Sequence, residues 1–208
     1  MSGGLLAVGD SIVNGHANSM ARVPSLSWAQ WVADAMGLSY MRFARGGATS
    51  DDIVRELLPR VSGKYEVGAF NMGTNDAYLG LDLSKLKRNL DFAAARFVDC
   101  CDRVLVLTVP YSEAATAEVR EVAERHGLLV VDAELHGARL MQPDGIHPTA
   151  LGHLKLADRA AALLSSPRPS ELAIKQGRGR LPLTYWPAWG LGWGKAQAKE
   201  RIKRTVRR

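Results

Sequence analysis

Ser11 closes the string Gly9-Asp10-Ser11, directly after an apolar run, Leu5-Leu6-Ala7-Val8. Far downstream, Asp144 and His147 stand three residues apart in Asp144-Gly145-Ile146-His147-Pro148. A hydroxyl is a weak nucleophile until a base takes its proton, and a histidine base works best when a carboxylate holds its tautomer and orientation. Serine, histidine and aspartate supply that set. Each also has a plainer reading. Ser11 taken alone reads as a helix cap, and His147 taken alone reads as a surface loop histidine. The carboxylate three residues before the histidine is what favours chemistry.

Such residues must be brought together by the fold. Short apolar, β-branched runs alternate with segments of helical period along the chain. Strands are predicted at 5–8, 39–43, 67–71, 104–109 and 128–132, and helices near 27–36, 51–61, 83–98, 112–126 and 149–164. Ser27, Asp51 and Ser84 signal helix starts, and Gly37 and Gly127 signal stops. Leu86, Leu90, Ala93, Ala94 and Phe97 recur every three or four residues and give the third helix one buried face. Five strands alternating with helices predict an α/β fold, a three-layer α/β/α sandwich around a parallel, flavodoxin-like sheet. Ligands in such folds bind beyond the carboxyl ends of the strands. Ser11 follows the first strand, Gly46-Gly47 the second and Gly73-Thr74-Asn75-Asp76 the third, and His147 precedes the last helix. All the candidates fall at one edge of the sheet.

The chain has 208 residues, of which 47% are apolar, enough for one full-sized core with an appendage. No run approaches the ~18 apolar residues of a membrane span. Met1-Ser2-Gly3-Gly4 carries no basic region and leads straight into the first strand, which argues against a cleaved signal peptide and points to the cytoplasm. Adjacent cysteines, Cys100-Cys101, are poorly placed for an ordinary disulfide and lack the partners of a zinc site, so they read as packed thiols. The net charge of +6 is unevenly spread. Residues 168–208 hold eleven basic and two acidic side chains, so this segment carries +9 and the rest of the chain −3.

Taken in order, Gly9-Asp10-Ser11-Ile12, the glycine after strand two, Gly73-Thr74-Asn75-Asp76 and Asp144-Gly145-Ile146-His147-Pro148 resemble the blocks of the SGNH (GDSL-type) hydrolase family, over roughly residues 5–165. The resemblance implies hydrolysis of a carboxylic ester or thioester without a cofactor or metal. Ser11 would be the nucleophile, His147 the general base and Asp144 its orienting carboxylate. Gly47 and Asn75, with the Ser11 backbone N–H, would bind the oxyanion. Two departures stand out: Arg42 occupies a position where the family often has Asn, which leaves Gly46 as an alternative to Gly47, and Ile12 replaces Leu. Taken without its neighbours, Asn75 reads as a turn residue. Asp10 and Asp76 read as braces for their loops. His16, His126, His136 and His153 read as structural or solvated, with only His16 near the proposed site.

Ser165–Ser170 reads as a linker that divides a hydrolase domain, 1–166, from a basic extension, 167–208, rich in Trp, Gly and Pro. Trp186, Trp189 and Trp193 are spaced three and four apart, but Pro187, Gly190, Gly192 and Gly194 argue against a stable helix there. The rings either pack back on the body or, with Lys195–Arg208, rest on an anionic membrane surface. No recognition module accompanies the charge, which argues against nucleic acid. A different class of function is open in principle: an idle member of the fold used as a binding module through its tail. The intact set of site residues favours the enzyme with a small-molecule ester substrate.

Overall fold

A computed structural model describes residues 3–17, 23–175 and 183–206. Residues 18–22 lie outside the described residues, as do Arg178, Arg180, Arg207 and Arg208 of the basic tail. Five strands form one sheet: β1 (Gly4–Gly9), β2 (Ser39–Ala44), β3 (Tyr65–Asn71), β4 (Cys101–Leu107) and β5 (Leu129–Val131). All pairings are parallel and the order is β2-β1-β3-β4-β5. This is the flavodoxin-like α/β sandwich expected from the alternation of elements. β1 lies between β2 and β3, and its residues Leu5–Val8 are fully buried, which is why the strand can be wholly apolar.

Helices cover both faces. On one face, α1 (Ser11–Asn14), α2 (Trp28–Met36) and α7 (Ala150–Leu163) enclose a core that includes Leu5, Ala7, Trp28, Val32, Leu105, Leu156 and Ala160. On the other, α5 (Leu83–Cys100) and α6 (Glu113–His126) pack Leu86, Leu90, Phe97, Val119 and Val122 against Leu6, Val8 and Phe70. Phe70 and Phe97 meet at 4.8 Å between ring centroids. Cys100 and Cys101 are free, buried thiols 3.7 Å apart.

Local chemistry moves some boundaries from their predicted places. Ser27 caps α2 as expected, and Gly37 and Gly127 end α2 and α6 in the left-handed conformation. Asp51 and Ser84 are not caps. Thr49 and Asp52 form a capping box at α3 (Ser50–Asp52), and Asp82 caps α5 by accepting from the Ser84 N–H. The helix predicted over 51–61 is α-helical only in α3. It widens to a π-turn over Ile53–Leu57 and tightens to a 3₁₀ turn over Leu58–Arg60. Pro59, inside the 3₁₀ turn, has no N–H to continue the regular ladder, and the π-turn before it absorbs that break.

After α7 the chain forms α8 (Pro169–Lys175), which begins inside the segment that reads as a linker and places Ala173 in the core. α9 (Tyr185–Val206) then runs through the stretch where Pro187 and three glycines argue against a helix. Pro187 falls in the first turn, where its missing N–H would have no intrahelical partner anyway. The glycines cost about 1 kcal/mol each, but the helix is held by tertiary contacts. The Tyr185 hydroxyl donates to the Ala138 carbonyl, and the Trp189 indole N–H donates to the Met141 carbonyl at 3.0 Å. Gly192 lies against Pro143, where a Cβ would come within 2.8 Å of the proline ring. Trp186 and Trp193 remain about half exposed. Among the described residues no helix is long and apolar enough to cross a membrane.

Candidate active site

The end of β1 sets the position of Ser11. Asp10 caps α1, accepting the Ile12 N–H at 2.8 Å, and also accepts the Asn71 amide at 2.7 Å. The pair ties the carboxyl ends of β1 and β3 together directly beneath Ser11. Asp10 is fully buried, and burial pushes its carboxyl up against the opposing hydrogen bonds from Asn71 and Ile12. Ser11 itself is 7% exposed. Asn71 escapes a reading for motifs, although an amide closing a buried strand of apolar neighbours is a local anomaly that marks it.

The loop between β5 and α7 brings the histidine. Asp144 Oδ1 accepts the backbone N–H groups of Ile146 and His147, at 2.9 and 3.0 Å. That turn aims Asp144 Oδ2 at His147 Nδ1, 2.7 Å away. The other ring nitrogen, Nε2, lies 2.8 Å from Ser11 Oγ across 136 residues of sequence. The geometry assigns the tautomer. A carboxylate only accepts, so Nδ1 carries the hydrogen and Nε2 is left with a lone pair facing the serine hydroxyl. Burial alone would raise the Asp144 carboxyl, but the hydrogen bonds from the His147 ring and backbone outweigh it and hold it below its ordinary value. The same ring contact raises the His147 imidazole, against burial, above its ordinary 6.5.

Gly47 and Asn75 stand on the two neighbouring strand ends. Gly47 follows β2 at φ +76°, a left-handed turn that a Cβ would strain, with no atom within 4 Å of where that Cβ would sit. Asn75 lies in α4 (Thr74–Leu79) and donates to the Ala48 carbonyl at 2.9 Å, which joins the two loops. Its amide carries a second N–H. Gly46, the alternative, faces the His16 ring, whose Nε2 is 2.7 Å from the Asn14 amide nitrogen. Arg42 donates to the Asn14 carbonyl at 2.7 Å, so it supports the segment after α1. Asp76 braces its loop as expected, accepting the Ser50 N–H at 2.8 Å and the Ser50 hydroxyl at 2.6 Å.

Of the remaining histidines, His126 contacts Asp91 at 2.9 Å and His136 contacts Glu134 at 3.1 Å. His153, in the first turn of α7, is fully buried and neither ring nitrogen has a hydrogen-bond partner. Two clefts are lined by described residues. One, of about 370 Å³, opens beyond β4 and β5 between Tyr111, Arg120 and Glu134. The other, of about 290 Å³, is lined by Trp189 and Trp193 of α9 and by Met141 and Pro143. Ser11 lines neither.

The model of the GDSL-like Lipase/Acylhydrolase family matches residues 7–155, which include Ser11, Gly47, Asn75, Asp144 and His147. The chain belongs to this family. Solved structures share its fold. LAE5, an alpha/beta hydrolase enzyme from the metagenome of Lake Arreo, Spain, is 23% identical with a TM-score of 0.63, over 79% of this chain and 97% of that one. Axe2, an acetylxylan esterase from Geobacillus stearothermophilus, is 18% identical with a TM-score of 0.60, over 78% and 94%. TesA is 22% identical with a TM-score of 0.60, over 77% and 97%. No curated protein matches the sequence. The family match supports a hydrolase and ends before α8 and α9.

Proposed function

We propose that the protein hydrolyses a carboxylic ester or thioester through a covalent acyl-Ser11 intermediate. The observation that carries this reading is the continuous hydrogen-bonded line from Ser11 Oγ through His147 to Asp144, at 2.8 and 2.7 Å. As Ser11 Oγ attacks the carbonyl carbon, its proton passes to His147 Nε2 and the carbonyl electrons move onto oxygen. The tetrahedral intermediate collapses, the bond to the leaving group breaks, and His147 returns the proton to the departing alkoxide or thiolate. Water then repeats the sequence. His147 takes a proton from it, hydroxide attacks the acyl carbon, and Ser11 leaves reprotonated. Asp144 stays ionised throughout and stabilises the imidazolium. The Ser11 and Gly47 N–H groups and the Asn75 amide are the donors assigned to the oxyanion, where each aligned donor contributes about 3 kcal/mol to the transition state. A cytoplasmic address and contact between the tail and an anionic membrane belong to the same reading as further expectations.

A series of p-nitrophenyl esters from acetate to palmitate tests the activity, and the pH profile tests the base. His147 must be neutral to accept the serine proton. Its pKa is raised in the folded protein, so kcat/KM falls as pH drops, with the acid limb above the ordinary histidine value of 6.5. Asp144→Asn removes the main cause of the shift and moves the limb downwards. A limb that stays in place in this variant excludes the Asp144–His147 pair as its origin.

A further inference from the structure

The hydrogen bond between Ser11 and His147 spans two segments that are remote in sequence, and their register needs its own support. Asp144 and His147 lie in one turn and hold each other. Ser11 is held from the other side, by Asp10, Asn71 and β1. Besides His147 itself, Gln142 joins the two sides. Its backbone N–H donates to the His147 carbonyl at 2.8 Å. Its side-chain amide donates to the His16 carbonyl at 2.7 Å and to the Pro148 carbonyl at 2.9 Å. His16 follows Gly15, the C-cap of α1, and its N–H returns to the Ser11 carbonyl at 3.5 Å. One amide group therefore spans from the segment leaving the nucleophile to the residue after the base, and uses both of its N–H donors to do so.

The turn that carries Gln142 is itself backed by α9. Met141, the preceding residue, accepts the Trp189 indole N–H, Ala138 accepts the Tyr185 hydroxyl, and Pro143, the following residue, rests on Gly192. The 3.0 Å indole contact is a single directional bond to the peptide unit that leads into Gln142.

We propose that Gln142 is a positioning residue that fixes the register of Ser11 against His147, and that α9, through Trp189, buttresses the turn from which it acts. This rests on the acyl-Ser11 reading above. Gln142→Leu keeps the bulk and loses both side-chain donors. Trp189→Phe keeps a ring and loses the indole donor. Misplacement of reacting groups by about 1 Å costs up to ~100-fold. Gln142→Leu is therefore expected to lower kcat on a p-nitrophenyl ester about 10- to 100-fold with KM changed less than about twofold, and Trp189→Phe to act in the same direction but less. The acid limb of the pH profile stays in place in both variants, because Asp144 and His147 are held within their own turn.

The experiment measures kcat, KM and pH profiles for wild type, Ser11→Ala, Gln142→Leu and Trp189→Phe, alongside amide hydrogen exchange. Exchange is expected to rise in Gln142→Leu over both 12–17 and 140–149. Wild-type turnover with an unchanged kcat in Gln142→Leu overturns the inference alone. So does a fall in kcat accompanied by a displaced acid limb, or faster exchange in only one of the two segments. Wild-type turnover that persists in Ser11→Ala overturns the acyl-serine reading, and the inference with it.

Discussion

Ser11→Ala lowers kcat on a p-nitrophenyl ester by about 10⁴- to 10⁶-fold and leaves the fold intact. The size of the effect follows from the role: without a hydroxyl there is no acyl intermediate, and His147 and Asp144 have no proton to move. Only the oxyanion donors and substrate binding remain to assist water. The fold survives because the serine side chain holds up little. Asp10 caps α1 and meets Asn71 without it, and Ile12 and Val13 stay buried in the core. Loss of one hydrogen bond to His147 costs about 1 kcal/mol. Steady-state kinetics beside a thermal melt separate the two consequences. A variant with a wild-type melt and a kcat within tenfold of wild type assigns the nucleophile elsewhere.

Acid destabilises this protein through His153. Burial of the ring, with the positive field of His147 adding to it, lowers its pKa from 6.5 to about 3. In the unfolded chain the same imidazole takes a proton near 6.5. Between those values the unfolded state binds the extra proton, so stability contributed by the neutral buried ring is present above pH 6.5 and is lost as pH falls towards 3. Each pH unit is worth about 1.4 kcal/mol, which gives about 3 kcal/mol between pH 7 and pH 4. In a chain of this size that is a fall in Tm of roughly 10 °C. His153→Leu removes the titration together with two buried nitrogens that lack partners. The variant is expected to match wild type within about 1 kcal/mol at pH 7 and to exceed it in Tm at pH 4. Parallel loss of Tm with pH in both proteins excludes His153 as the source.

The parts of this molecule that could be read from sequence are those governed by repetition or by a small set of chemical types. Burial of β1 on both faces demands an apolar run, and the helical spacing of Leu86, Leu90, Ala93 and Phe97 follows from a single buried face. Ser11, Asp144 and His147 are visible because few residue types perform that chemistry, and because Asp144 can close its turn on His147 only at short range. The rest depends on contacts between distant segments. α9 reads as irregular because Pro187 and three glycines lower its intrinsic helicity, whereas Tyr185 and Trp189 hold it to the 138–143 turn. Gln142 belongs to a polar loop with no period and no motif. Its importance lies in which carbonyls it meets, and those are His16 and Pro148. His153 sits in an amphipathic pattern where a histidine reads equally well as exposed, and only the closed packing of α7 buries it. The π-turn after α3 likewise arises where a proline interrupts a helix that the surrounding core keeps in place.

The most direct measurement is covalent trapping of the nucleophile. The protein is incubated with a fluorophosphonate, digested, and the adduct mapped by mass spectrometry. A single phosphonylated site at Ser11, formed far more slowly in His147→Ala, is what the line from Ser11 through His147 to Asp144 requires. A folded wild-type protein that takes no label, or takes it at another residue, contradicts the assignment of Ser11 as the nucleophile.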